Sequence, residues 1–447
     1  MLYFLRELSR KTSASEKGKI ILGSINRVIK KHFPSLFDKF NQLTDSRKKR
    51  EYALSEIISG ALFMFLFKEA SRNAYNNDRQ ELNLRETVYK YFGIRLPHAD
   101  ASNDVLCLLE PEQLEELKAQ LVSGLIEQKI LRQFRFLGKY YLVAVDGTGM
   151  ASFEQRHCKH CLTKTSKNGV TTYFHYILEA KIITTSGLCI SLVSEFIENQ
   201  SGRDYEKQDC EQKAFVRLAA KMKKKFPRLP VCILADGLYP NNTVFEICQK
   251  YGWVFIITLK EGCLKTFHTE AGLLKATAQK RCICKADKTT RTTMDYSFLN
   301  DIEYAGTNYS WLSYNQTVTN IKNRQQESIH FVYITNIRQN ADNVATTAES
   351  GRLRWKIENE GFNTQKNLGY ELEHKFSRKS YTAMQNYYQL LQIAHMINQL
   401  VERTGVFMDL LHEHSKQTIV ALWKDFLGYM KHCTCEQPLN INIYQTD

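Results

Sequence analysis

The sequence predicts an α/β protein in which a mixed sheet is covered by helices, with a helical domain before it, a β-rich insertion within it and helices after it. Three observations carry this reading. Apolar residues recur at helical spacing from Ser15 to about Phe136, as in Ile20, Ile21, Ile25, Val28 and Ile29. At Tyr140 the pattern changes to short β-rich runs, Tyr140–Val145, Thr171–Thr184 and Cys189–Ile197. Helical stretches then separate two further runs, Val231–Ala235 and Val254–Leu259, and three sequential strands followed by alternating helices and strands make a mixed sheet with helices on its faces.

Residues 1–138 read as a helical N-terminal domain suited to DNA binding, with further apolar stripes through Leu54–Leu66 and Leu114–Leu125. Its cluster Arg47-Lys48-Lys49-Arg50, set just before a helix, is either a phosphate grip or a solvated face. Residues 139–260 form the first part of the core. Within it Ala214, Phe215, Leu218, Ala219 and Met222 stripe the helix Cys210–Phe226, and Asn242–Tyr251 is a shorter helix. Residues 261–337 are polar and β-prone, with Tyr296, Phe298, Tyr304, Tyr309, Trp311, Leu312 and Tyr314 among turn residues, and are expected to protrude as an inserted β subdomain. Helical character returns in 338–415, through Arg352–Asn367 and Met384–Val401, and these helices are expected to close the core. Residues 416–447 are expected to be a last helix and a polar, frayed tail from Cys435.

At 447 residues the chain exceeds a comfortable single core, and about 100–200 residues per domain gives two to four domains. Lys and Arg number 61 against 47 Asp and Glu, a net charge of +14 that favours a polyanionic partner, nucleic acid first. The longest apolar run, Ile57 to Phe67, is broken by Ser59 and Gly60 and stops at Lys68, so it reads as a buried helix and not a membrane span. Met1 to Thr12 alternates charges and lacks a cleavage pattern, so a cytoplasmic location is expected. The twelve cysteines show no disulfide regularity and are read as reduced.

Two apolar runs lead into Asp-Gly: Tyr141-Leu-Val-Ala-Val145 into Asp146-Gly147-Thr148-Gly149, and Cys232-Ile-Leu-Ala235 into Asp236-Gly237. Each carboxylate is expected to project from a strand end beside a glycine turn, which together make a hard-cation site at one sheet edge. The third element is Arg354-Trp355-Lys356-Ile357-Glu358, where Arg354 and Glu358 share a helix face four residues apart. Glu360 competes for the role of third acid, but residues two apart on a helix point about 200° apart, and Glu358 is the one in register with Arg354.

These three blocks, in this order and with a long β insertion before the third, resemble the DDE transposases of bacterial insertion sequences, in the branch whose third acid lies in a Tyr-Arg-Glu-Lys signature. The resemblance covers about Tyr140 to His374. It implies a ribonuclease H-like core and a catalytic, metal-holding triad of Asp146, Asp236 and Glu358 that binds two Mg²⁺ or Mn²⁺ ions. It further implies cleavage and strand transfer on the double-stranded DNA of transposon ends and target, a homodimer on that DNA, and DNA contacts from Arg354 and Lys366. Two positions depart from the family. Its tyrosine falls on Gly351, and its lysine falls on Gln365, one residue before Lys366, so an extra residue in this helix would be needed to restore Lys366. A catalytically inactive or domesticated DNA-binding relative, or a metal-dependent nuclease without joining activity, are the alternatives.

Two features stand apart from the triad. Cys158 and Cys161, flanked by His157 and His160, form a zinc-compatible C-x₂-C knuckle, with Cys282/Cys284, Cys210 and His175 as candidate partners and reduced thiols as the alternative. Lys223, Lys224 and Lys225, with Lys221 and Arg228, form a basic patch at a helix end that either tracks DNA or simply suits the helix dipole.

Overall fold

The computed structural model describes residues 12–199, 208–413 and 415–433. The chain is α/β with a large mixed sheet and many helices, and it divides into two units: Met1–Gln128 joined by Phe362–Asp447, and Lys129–Gly361.

The first unit is helical. Its opening helix, Ala14–His32, is fixed by a capping box in which Glu16 accepts the Ser13 backbone N–H at 2.9 Å and Ser13 Oγ accepts that of Glu16 at 3.2 Å. The apolar run foreseen as a core helix is one: every residue of Leu54–Leu66 is buried. Among the described residues no helix is long and apolar enough to cross a membrane.

The helix Tyr381–Glu402 is buried from Asn386 to Val401 and is the core of this unit. Its amides end other helices: Asn386 Nδ2 donates to the carbonyls of Leu106 and Leu109 at 2.8 and 2.6 Å, and Asn398 Nδ2 to that of Leu66 at 3.1 Å. The sequence assigned the Met384–Val401 stripe to closing the sheet core. The structure places it in the helical unit, because its all-round burial requires neighbours on every side and helices supply them.

Glu69, buried just after the Leu54–Leu66 helix, is expected to make stability depend on pH. Burial, then the nearby charge and hydrogen bond of Asp78, push its carboxyl from 4.5 to about 8, with Lys431 opposing. A raised value means that the neutral acid is favoured in the fold, so this contribution is fully present below about 4.5 and is lost as pH rises through about 8. Glu69→Gln is therefore expected to raise Tm at pH 8.5, by about 2–4 °C for each kcal/mol recovered, and to leave it nearly unchanged at pH 4.5. Thermal scans at the two pH values check this, and an equal shift at both would contradict it.

The second unit is a ten-stranded sheet made of β1 Tyr141–Phe153, β2 Leu162–Thr165, β3 Thr171–Ile183, β4 Cys189–Ile197, β5 Val231–Ala235, β6 Val254–Thr258, β7 Gln279–Ala286, β8 Thr290–Tyr304, β9 Thr307–Asn320 and β10 Gln326–Thr335. Their order is β2-β3-β1-β5-β6-β10-β9-β8-β7, with β4 also paired to β3. β1, β5 and β6 are parallel to one another and all other pairings are antiparallel. The helices Glu211–Lys225 and Asn242–Tyr251 lead into β5 and β6, and the expected stripe Ala214, Phe215, Leu218, Ala219, Met222 is the buried face of the first.

The stretch 261–337 is mostly β, after a helix at Lys265–Leu274. It is continuous with the core sheet, because β10 pairs with β6 through Tyr333↔Thr258, Ile334↔Ile257 and Thr335↔Ile256. Its near ends bury Tyr296, Phe298, Leu312, Tyr314 and Tyr333, while β10 from Gln326 to His330 is exposed. The insertion thus lengthens the sheet at its root and stands clear of it only at the far ends.

Candidate active site

Three adjacent parallel strands bring polar residues to one edge. The β1–β5 register runs from Tyr141↔Val231 to Ala144↔Leu234, so two residues further Asp146 and Asp236 lie level. Asp236 follows the last residue of β5, as expected, and its Oδ1 accepts the Leu238 backbone N–H at 2.8 Å. Its Oδ2 takes an ion pair from Lys260 Nζ at 2.9 Å, and Lys260 lies just past the end of β6.

Asp146 does not end its strand. β1 continues to Phe153, because Asp146 and the residues after it keep β3 as partner, with Asp146 opposite Glu179. What ends at Ala144 is pairing with β5, so beyond it β1 is paired on the β3 side only. Gly147 is therefore a strand residue and not a turn: a Cβ there would lie 2.4 Å from Tyr176 Cε1 and 2.8 Å from Glu211 Oε1. Opposite Asp146, fully buried Glu179 accepts from Ser194 Oγ and lies 3.9 Å from the buried Lys181 ammonium.

The third acid comes from a helix of changing pitch. An α-helix at Val344–Arg352 tightens to a 3₁₀ turn at Leu353–Trp355 and then widens to a π-helix at Ile357–Asn363. Arg354 Nη1 donates to Asp146 Oδ2 at 3.1 Å and to Glu358 Oε1 at 3.2 Å, so one guanidinium joins the two acids. The sequence assigned Arg354 to DNA, and here it is a buried carboxylate clamp that also lies over the Trp355 ring at 4.9 Å. Glu360 is turned elsewhere, ion-paired to Lys356 at 2.7 Å.

Burial pushes the Asp146 carboxyl up to about 7; the Arg354 guanidinium opposes this, and the nearby Glu358 carboxyl adds to it. Glu211, the first residue of its helix, accepts hydrogen bonds from Tyr176 Oη at 3.1 Å and Tyr239 Oη at 2.9 Å. Both phenols are raised well above their ordinary value, by burial first and then by Glu211, with Asp146 contributing and, for Tyr239, Asp236 as well. Glu211 is thus tied through Tyr176 and Tyr239 to the strands that carry Asp146 and Asp236.

Tyr239 stands in the block Asp236-Gly237-Leu238-Tyr239 that the sequence singles out, whereas sequence reading missed Glu211, Tyr176 and Lys260 as site residues. Lys260 carried a signal, since it follows a third parallel strand whose C-terminal end lies beside the other two. Glu211 carried none, because a glutamate in the first turn of a helix is ordinary.

The basic patch Lys223–Lys225 lies away from these acids. The helix that begins at Glu211 places Lys223, Lys224 and Lys225 about 20 Å away along its axis, at 1.5 Å per residue, and Lys223 Nζ donates to the Pro227 carbonyl at 2.8 Å. In the helical unit Arg47 is held on both oxygens of Asp45 at 2.9 and 3.0 Å, while Lys48, Lys49 and Arg50 are exposed. Gln365 is fully buried, donating to Gln392 Oε1 at 2.9 Å, whereas Lys366 is half-exposed and ion-paired to Glu373 at 2.7 Å. The π-helix adds one residue to the turn that precedes them. At Gly351 a Cβ would lie 2.8 Å from the Tyr333 ring, so Tyr333 of β10 packs directly against this position.

Of the zinc-compatible residues, Cys158, Cys161 and His175 converge, whereas Cys282 and Cys284 lie exposed on β7 and Cys210 is exposed at a helix start. No protein-family model matches the chain, and no curated protein matches it.

Proposed function

We propose that the sheet unit is a ribonuclease H-like nuclease core and that the chain is a DDE-type transposase acting on double-stranded DNA as a homodimer. The observation that carries this reading is the joining of Asp146 and Glu358 by one Arg354 nitrogen, with Asp236 level with Asp146 on the neighbouring strand. The strand order supports it: antiparallel β1, β3 and β4 are followed by β5 and β6 parallel to β1.

The donor set fits Mg²⁺ or Mn²⁺. All three side chains offer hard carboxylate oxygens, and the guanidinium between Asp146 and Glu358 stands in for a cation at the point where those oxygens converge. When bound, such ions would lower the pKa of an attacking water or DNA 3′-hydroxyl and stabilise the leaving oxygen. The chain itself does the positioning. β1 and β5 fix the two aspartates, Arg354 holds Glu358 toward Asp146, and Lys260 places a positive charge beside Asp236 where a phosphate would approach. No nucleophile motif such as G-x-S-x-G is present in the sequence, consistent with direct in-line displacement by water or hydroxyl.

The test uses the full chain with duplex DNA taken from the sequences flanking its gene, in Mg²⁺ or Mn²⁺. The expected products are ends with free 3′-hydroxyls and, with target DNA added, joined strands. Cleavage without joined strands would replace the transposase reading with a nuclease. Binding without cleavage would point to an inactive relative.

A further inference from the structure

The β1–β2 connection carries a second cluster of chemistry-bearing side chains that the nuclease reading does not use. Cys158 and Cys161 lie on the loop after β1, closed by the Cys161 backbone N–H donating to the Cys158 carbonyl at 3.4 Å. His175 reaches them from β3, where it pairs with Ala151 just past a bulge in β1. Cys161 and His175 are fully buried, and Cys158 is half-buried.

The three ligand atoms form a triangle: Cys158 Sγ to Cys161 Sγ is 3.8 Å, Cys158 Sγ to His175 Nε2 is 3.5 Å, and Cys161 Sγ to His175 Nε2 is 3.6 Å. A tetrahedral zinc ion with Zn–S of about 2.3 Å and Zn–N of about 2.0–2.1 Å requires S···S of about 3.8 Å and S···N of about 3.5–3.6 Å along its edges. The observed triangle is one face of that tetrahedron. A disulfide needs sulfurs about 2.05 Å apart, so this pair is not one. Two further histidines line the site: His157 stacks on Phe153 with ring centroids 4.2 Å apart, and His160 is paired through Nδ1 with Glu198 at 3.2 Å.

We infer that Cys158, Cys161 and His175 bind one zinc ion, whose fourth vertex falls on the solvent side beside Cys158, where water or His157 completes it. The site is separate from the carboxylate site. Along β1, Ala151 is five residues, about 16 Å, beyond Asp146 at the rise of a strand. Zinc ties the loop 154–161 to β3 and closes the base of the short β2–β3 hairpin, whose Lys164 and Lys167 are exposed. β2 has only four residues and one buried side chain, too little to hold this arm by packing alone.

The test is metal analysis of the full chain, expressed with zinc and freed of loosely bound metal by gel filtration. About one zinc ion per chain is expected, with an X-ray absorption first shell of two sulfurs and light atoms. A Cys158→Ser/Cys161→Ser variant and a His175→Ala variant, each lacking direct ligands, are both expected to lose most of their zinc. A Cys282→Ser/Cys284→Ser variant is expected to keep its zinc. If the knuckle variants fail to fold, the absorption spectrum of the unaltered chain decides. Less than about a tenth of a zinc per chain, a Cys158–Cys161 disulfide in the mass spectrum, or a zinc shell without sulfur would overturn the inference.

Discussion

Asp146→Ala is expected to abolish metal-dependent cleavage of duplex DNA, a loss of about 10³-fold or more, the scale seen when one member of a catalytic unit is removed. Asp146 is where the site converges: it accepts from Arg354, its carboxyl is raised by burial and by Glu358, and it lies level with Asp236. Asp236→Ala and Glu358→Ala are expected to fall by similar amounts, and pairs of these substitutions by little more, because the three act as one unit. DNA affinity is expected to survive, since it rests on many Lys and Arg contacts to phosphate and not on the acids. Glu360→Ala is the control: its carboxylate is committed to Lys356, so most activity is expected to remain. Cleavage assays beside gel shifts, with circular dichroism to confirm folding, separate these outcomes. Undiminished cleavage by Asp146→Ala would rule the site out.

Gly147→Ala should harm both stability and activity although it removes no functional group. The added methyl would meet the Tyr176 ring at 2.4 Å and Glu211 Oε1 at 2.8 Å. Neither can retreat cheaply, because the Tyr176 hydroxyl is bonded to Glu211, which also accepts from Tyr239. Relief must come from β1 itself, one residue from Asp146. Overpacking of this kind costs about 1–3 kcal/mol, and a displacement near 1 Å at a reacting group costs about 10²-fold in rate. Urea unfolding and cleavage rates measure the two effects. A stability change within about 0.5 kcal/mol together with full activity would show that β1 is not constrained as described.

The strands that carry the site were legible because each is a short apolar run bounded by turn residues, and β3 to β6 fall within one or two residues of their expected limits. β1 was read too short. Asp146-Gly147-Thr148-Gly149 looks like a turn in one dimension, but β3 continues to offer hydrogen bonds past the end of β5, and pairing outweighed local propensity. The relation of Arg354 to Glu358 was legible from their spacing of four. The clamp on Asp146 was not, because it depends on how a helix that changes pitch meets a strand about two hundred residues earlier. Met384–Val401 was assigned to the wrong unit for a similar reason: a helix buried on all sides announces burial but not the partner. His175 was only one of several candidate partners for the C-x₂-C knuckle, and the β1–β3 register with its bulge is what singles it out.

The most direct test of the carboxylate site is a crystal of the full chain soaked in Mn²⁺ with a short DNA duplex and recorded at the manganese absorption edge. Anomalous density is expected between Asp146 and Asp236 with Glu358 at its side, and Arg354 is expected to be released from at least one of the two carboxylates it now joins. A fully loaded crystal with no anomalous peak there, and Arg354 still bonded to both Asp146 and Glu358, would contradict it.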